Sequence, residues 1–402
     1  MEPVMAFNPT EWIDWVLEHE QEDIHRLALR YAGKKLPLQA MIAQVKGRQI
    51  ARNKLPTWYG HPSLWYPDTL ISEQCSSEAT AILKAGQLKG QIVADLTGGL
   101  GVDSQVFSMF AERVYYTEPD SLRCSAARWN FAQLNCNNIV ITQADAETMI
   151  GKGFPERPDT IYLDPSRRNA GGRKVFLLTD LEPDILLLKD RLLLQAERLM
   201  VKLSPMLDIR DLLRILPEIS EIDIIAWKRE CRELVIHLGK KEATVQINCY
   251  HAESGQASFS YPVGNGEYST LPLSAPLQWI YEPHAAVRKS GAWKELCHRF
   301  GISALHPNTH LFTSDEELKE FPGRKFRLLD ILPFRKTEIL ERLAGRPVQQ
   351  VFYNFPEPAA AVIKRMNLSS GEPLYLFYIK TKSGSPEVLL TECVSAEVQI
   401  PD

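Results

Sequence analysis

The middle of this chain predicts an α/β fold built on a mostly parallel sheet with one reversed strand, and three observations carry that expectation. Between about residues 71 and 250, short apolar segments alternate with amphipathic ones. The turn after the first apolar segment, "DLTGGLG", is rich in glycine. Two late apolar segments follow one another with no helix between them. Short apolar strands separated by amphipathic helices pack as a buried parallel sheet with helices on both faces. The late pair is joined by too few residues for a crossover, so one strand must run backwards.

The elements follow in chain order. Residues 8–54 read as helices, with Trp12, Trp15, Val16, Ile24, Leu27 and Ala28 at helical spacing. The stretch "LPTWYGHPSLWYPDT" is rich in proline and aromatics, which suits a connector packed onto a body. The strands are then "QIVADL", "RVYYTE", "NIVITQ", "DTIYLD" and "LMVKLS", with helices such as "VDSQVFSMFAE" and "DSLRCSAARWNFAQL" between them. "EIDIIAW" and "RELVIHL" form the late pair. Residues 251–272 are polar and turn-rich, so a domain boundary is expected there. The expected division is a helical region over 1–70, an α/β domain over 71–250, and small α+β domains over 273–320 and 321–402.

Composition narrows the function. The chain has 402 residues, 45% apolar and 24% charged, as a multidomain globular protein does. No apolar run reaches the roughly 20 residues of a membrane helix. The N-terminus carries acids and tryptophans where a signal peptide needs a basic end and an apolar core. Seven scattered cysteines without CxxC point to a reducing cytoplasm and away from a zinc cluster. The net charge of −4 advertises no polyanion, so a nucleic acid would have to be met by a local patch.

Four acids stand at the carboxyl ends of four successive strands: Asp95, Glu118, Asp145 and Asp164. In an α/β sheet those ends open into one crevice. Gly98, Gly99 and Gly101 would let a ligand approach the backbone there. The dinucleotide fingerprint GxGxxG is not matched. Glu118 is placed to accept ribose hydroxyls and Asp145 to accept from an adenine amino group.

With these residues in place, the sequence resembles the class I S-adenosylmethionine-dependent methyltransferases. "VADLTGGLG" looks like their first motif, "YYTEPD" their second, "QADAE" the adenine contact, and "LDPSRR" the fourth, acceptor-side motif. The resemblance extends to a bacterial subfamily with a C-terminal THUMP-like domain, through "SEQCSSEATA" (72–81), the ferredoxin-like stretch 281–314, and "FPGRKFRLLDILPFRK" (321–336). It implies a Rossmann-like methyltransferase sheet and S-adenosyl-L-methionine as cofactor. It assigns cofactor binding to Asp95, Thr97, Gly98, Gly99, Gly101, Glu118, Pro119, Asp145 and Ala146, with no metal. It sets Asp164, Pro165, Ser166 and Arg167 before the acceptor. Relatives that methylate amines carry a second proline and an aromatic where this chain has Ser166 and Arg167. A base amine, a carboxylate, a phenol and a protein nitrogen all stay open as acceptors.

Local charge suggests a partner. "RRNAGGRK" (167–174) holds four cations in eight residues, among them Arg168, Arg173 and Lys174. Residues 321–346 hold seven Lys or Arg, including Arg324, Lys325 and Arg327, against three acids, interleaved with Phe326 and Phe334. Cations with aromatics suit phosphates and unstacked bases. THUMP domains deliver structured RNA, so the resemblance implies tRNA or rRNA as partner and an RNA-modification role. A protein or small-molecule methyltransferase, and a non-catalytic RNA-binding protein, are the alternatives. Cys231, between arginines, offers a thiol route. His306 and His310 have metal-like spacing without a further ligand.

Overall fold

The computed structural model describes residues 9–167, 178–239, 244–254, 257–264, 270–381 and 384–394. The chain divides into two compact units. The first comprises Met1–Trp227, Arg232–Val245 and Ala252–Gly255, and the second Lys228–Cys231, Gln246–His251 and Gln256–Asp402.

The first unit opens with helices α1 (Ile13–His19), α2 (Ile24–Tyr31) and α3 (Leu38–Lys54). Trp12, Trp15 and Ile24 pack on a core of Val16, Leu27 and Val45, as their spacing predicts. Asp23 caps α2 by accepting from the amides of His25 and Arg26. The aromatic connector is fixed to the body. Trp58 and Tyr66 are fully buried. The Asn130 side chain accepts from the Trp65 amide and donates to the Trp65 carbonyl, at 2.7 and 2.9 Å. After the short helices α4 (Pro56–Tyr59), α5 (Thr69–Gln74) and α6 (Glu78–Ala85), the sheet begins.

Its strands are β1 (Ile92–Asp95), β2 (Arg113–Glu118), β3 (Ile139–Gln143), β4 (Thr160–Leu163), β5 (Arg198–Leu203), β6 (Ile219–Trp227) and β7 (Glu230–Leu238). They lie in the order β3-β2-β1-β4-β5-β7-β6. The pairs β1–β2, β1–β4, β2–β3 and β4–β5 are parallel. β7 runs antiparallel to β5, from Leu199↔Leu238 to Leu203↔Leu234, so the sheet is reversed where the short connection required it. The central strands are buried on both faces, with Val93, Ile161, Met200 and Ile236 inaccessible, while the edge strand β3 is partly exposed. Among the described residues five helices complete this region: α7 (Val102–Phe107), α8 (Ser121–Gln133), α9 (Ala146–Lys152), α10 (Ile185–Gln195) and α11 (Ile209–Ile215). The sequence predicts α7 through residue 112. It stops at Phe107, and in the turn that follows the Asn138 amide donates to the carbonyls of Ser108 and Ala111, both at 2.9 Å.

The second unit contains a hairpin of β8 (Gln246–His251) and β9 (Ala257–Pro262). β9 falls where a polar boundary is expected. Its alternating "FSY" buries Phe259 and Tyr261, which is a strand pattern inside a turn-rich stretch. Among the described residues seven further strands follow: β10 (Trp279–Pro283), β11 (Ser303–Ala304), β12 (Phe312–Ser314), β13 (Gly323–Pro333), β14 (Gln349–Tyr353), β15 (Leu374–Lys380) and β16 (Pro386–Cys393). They form one sheet in the order β11-β12-β10-β13-β16-β15-β14. β10 pairs with β13 from Trp279↔Arg327 to Pro283↔Gly323, so the expected division at residue 320 falls within a continuous sheet. Phe326 is buried with Ile280, Tyr375 and Phe377, and Phe334 packs with Phe355 and Tyr378. Two aromatics considered for base stacking thus belong to the packing of this unit. Among the described residues no helix is long and apolar enough to cross a membrane.

Candidate functional site

The site lies in the first unit, at the carboxyl ends of β1, β2, β4 and β5. β1 ends at Asp95, whose carboxylate folds back into the loop that follows. It accepts from the Thr97 amide at 3.0 Å and from the Ser104 hydroxyl at 2.6 Å. Only 1% of Asp95 is accessible, and burial pushes its carboxyl up to about 7. The glycines have a packing reason. A Cβ on Gly98 would lie 2.2 Å from the Tyr116 ring, and one on Gly101, at φ +91°, would lie 2.7 Å from Phe131. The Tyr116 hydroxyl donates to the Gly99 carbonyl at 2.7 Å and the Gly98 amide donates to the Thr117 carbonyl, so β2 clamps the loop in place.

Glu118 closes β2. It accepts from the Gly99 amide and the Asp120 amide, both at 3.0 Å. Burial raises its pKa against the pull of those two amides. Asp145 differs: it is exposed and caps α9, accepting from the Thr148 amide at 2.7 Å, which holds its carboxyl low. Ala146 opens that helix and is buried.

Asp164 stands just beyond β4, with its amide donating to the Thr97 hydroxyl at 2.7 Å. The β1 and β4 tips are thereby tied together through one side chain. The chain after Pro165 forms a small antiparallel ribbon, Ser166 opposite Glu182 and Arg167 opposite Leu181. Pro165 is buried and Ser166 exposed. Arg168, Arg173 and Lys174 lie outside the described residues.

Sequence reasoning missed what surrounds Asp164. Lys202, from β5, donates to Asp164 Oδ2 at 2.6 Å and to the Ser76 hydroxyl at 3.2 Å. Behind it sits Lys84, wholly inaccessible at its side chain, 2.8 Å from Asp103 and 3.0 Å from Glu233. Lys84 also donates to Ser76 at 2.7 Å, and the Ser76 hydroxyl donates to Asp103. Tyr162 donates to Asp103, and Thr80 donates to Glu233. A polar chain thus runs from Glu233 through Lys84 and Ser76 to Lys202 and Asp164. Burial raises the Asp164 carboxyl even against Lys202. Burial alone would lower Lys202, yet Asp164, Glu233 and Asp103 hold its ammonium well above the usual lysine range. Burial costs Asp103 too, but Lys84 and Lys202 keep it low. The signal was a lone lysine in the apolar strand "LMVKLS", a second in "TAILKAG" and a glutamate in "RELVIHL". Ser76 and Thr80 fall in the segment "SEQCSSEATA" already noted.

Arg324, Lys325 and Arg327 belong to the second unit and already have anionic partners. Arg324 meets Glu282, Lys325 lies 2.8 Å from Glu317 and Arg327 3.1 Å from Glu392. Cys231 is half-buried. His310 stacks on Trp293, while His306 accepts from the Asn308 amide and lies 3.2 Å from the Asn354 side-chain amide.

A positively charged ligand suits this crevice. Two ammoniums face the carboxylates of Asp103, Glu233 and Asp164, with Asp95 and Glu118 alongside. Burial raises the carboxyls of Asp95, Glu118 and Asp164. The acids at these strand tips suit a sulfonium with an α-ammonium group.

Comparison with known proteins follows the same outline. Residues 279–322 match the model of a ferredoxin-like domain. Two uncharacterized S-adenosylmethionine-dependent methyltransferases of Mycobacterium tuberculosis, from strains CDC 1551 and H37Rv, are 24% identical over 332 residues. The match spans 81% of this chain and 88% of each relative. The crystal structure of a candidate methyltransferase from Porphyromonas gingivalis W83 superimposes with a TM-score of 0.83 at 29% identity, covering 97% of this chain and all of that one.

Proposed function

We infer that this S-adenosylmethionine-dependent methyltransferase acts on structured RNA, of the tRNA or rRNA class, with Asp164 facing the acceptor. The convergence of Asp95, the Gly98–Gly101 loop, Glu118 and Asp164 at adjacent strand tips is the observation that carries the reading. When bound, S-adenosylmethionine supplies a methyl group on a positively charged sulfur. The chain's task is then alignment, which is worth up to roughly 7–11 kcal/mol in well-oriented systems. Thr97, Gly98, Gly99 and Gly101 supply the loop against the amino-acid portion, with the buried Asp95 holding its shape. Glu118 and Pro119 take the ribose, and Asp145 and Ala146 the adenine. Pro165, Ser166 and Arg167 border the acceptor.

Four cations follow Asp164 directly in residues 167–174, which supports a phosphate-rich acceptor. The segment 321–402, read as THUMP-like, would dock that RNA through Arg324, Lys325 and Arg327. The acidic partners of those three residues favour a second reading, in which the second unit serves assembly and a protein or small molecule is methylated. One experiment separates the two: incubation with methyl-tritiated cofactor and total cell extract, with and without ribonuclease. Label that disappears with ribonuclease is the expected result. Label that resists it overturns the RNA reading and leaves the second.

A further inference from the structure

We propose that Lys54, at the end of α3, binds a phosphate group of the acceptor strand on the Asp164 side of the crevice. The proposal rests on the RNA reading above and adds a phosphate-binding residue in the first unit.

Charge pairing singles this residue out. The other lysines of the first unit that are buried or half-buried among the described residues each have a carboxylate partner. Lys46 lies 3.3 Å from Glu73, Lys84 2.8 Å from Asp103, Lys189 2.5 Å from Glu218 and Lys202 2.6 Å from Asp164. Lys54 is half-buried, and among the described residues no carboxylate pairs with it. Its ammonium donates to the Glu73 carbonyl at 2.8 Å. Cys75 is its other hydrogen-bonding neighbour, and burial pushes that thiol up, so it brings no negative charge. The Glu73 carboxylate is taken by Lys46, and Glu233 is taken by Lys84. Burial lowers the Lys54 pKa and Lys202 pushes the same way, against Cys75 and Glu233. An ammonium half-withdrawn from water without a counter-charge is costly, and an arriving anion relieves that cost. Of its three N–H donors, one goes to Glu73 and one to Cys75, which leaves one for a ligand.

Position ties Lys54 to the acceptor. Three residues beyond Glu73, the Ser76 hydroxyl accepts from Lys202 at 3.2 Å, and Lys202 holds Asp164 at 2.6 Å. Lys54 and Lys202 therefore grip the two ends of one short segment, 73–76. Lys202 is neutralised there by Asp164, whereas Lys54 keeps its charge for an incoming group. Phosphate contacts fix the register of a strand without reading its bases. A phosphate on Lys54 would in this way set the neighbouring nucleotide beside Asp164.

Two measurements test this. The first takes the intact protein saturated with S-adenosylhomocysteine and acetylates its lysines at trace level, read residue by residue by mass spectrometry. Inorganic phosphate should protect Lys54 relative to sodium chloride of equal ionic strength, and bulk cellular RNA should protect it too. Lys54 labelled equally with and without phosphate overturns the proposal, even where methyl label is lost to ribonuclease and the RNA reading stands. Protection by phosphate but not by RNA, with methyl label that resists ribonuclease, sustains the phosphate site and overturns only the RNA reading. The second measurement follows initial rates of methyl transfer to bulk cellular RNA across a potassium chloride series. Lys54→Met should raise the apparent KM for RNA by roughly 10–100-fold, as loss of a charged hydrogen bond does, with kcat kept within several-fold. The slope of log KM against log salt should fall by about 0.7, the share of one phosphate on a single strand. Lys54→Arg should restore most of both. A KM and a salt slope unmoved by Lys54→Met overturn the role given to Lys54.

Discussion

The two units use the same residue types to opposite ends. In the first, Lys84, Lys202, Asp103, Glu233 and Asp164 are drawn into one buried chain whose last member faces the crevice. In the second, cations along and beside β13 pair off locally. Arg327 with Glu392 and Arg342 with Asp330 both have side chains that are more than a third accessible. Buried ions cannot be screened, so each sets the ionisation of the next and the field in the crevice. Exposed pairs are screened and nearly independent. Charge counted along a sequence is therefore a poor measure of charge available in space.

The contrast can be broken first at Lys84. Lys84→Met strands Asp103 and Glu233, and breaking a buried pair in this way costs about 3–5 kcal/mol. Urea unfolding should show that loss. A change below about 1 kcal/mol would place this chain with the surface pairs. Next comes Asp95. Its raised carboxyl keeps its proton in the folded state while the unfolded chain, near ~3.9, has released it. Its contribution is therefore full below about pH 4 and lost as pH rises to about 7. Asp95→Asn removes that titration. Its stability relative to the parent should climb over this window by up to about 4 kcal/mol and then level off, as urea midpoints across a pH series would show. The smallest effect belongs to Arg342→Ala, expected within about 0–1 kcal/mol by thermal unfolding and weaker still in salt.

The same contrast explains what could be read in advance. The mostly parallel sheet and the reversal of β7 were legible because apolar alternation and connection length constrain topology strongly. The acid-tipped strands were legible because a crevice gathers strand ends. The hydrogen bonds that hold individual acids were not. Asp95 turns inward to the Ser104 hydroxyl, and Asp145 caps its own helix; both are local bonds that spacing does not encode. Gly98 was singled out for ligand approach, and the ring of Tyr116 gives it a packing reason. Lys84, Lys202 and Glu233 come from a helix and two strands far apart in sequence. Each alone resembles a stray charge in an apolar run, and their meeting depends on the sheet order. The charge of the segment 321–346 was legible but its pairing was not, since Glu282, Glu317 and Glu392 lie outside it.

The central claim is that Asp164 acts on the acceptor while the crevice holds the cofactor independently of it. The most direct measurement pairs methyl transfer by Asp164→Ala with its affinity for S-adenosylhomocysteine by calorimetry. Loss of a general base is expected to lower turnover by roughly 10²–10⁴, with the affinity kept within several-fold. Equal loss of both, or turnover preserved, would make Asp164 a structural residue and contradict this account.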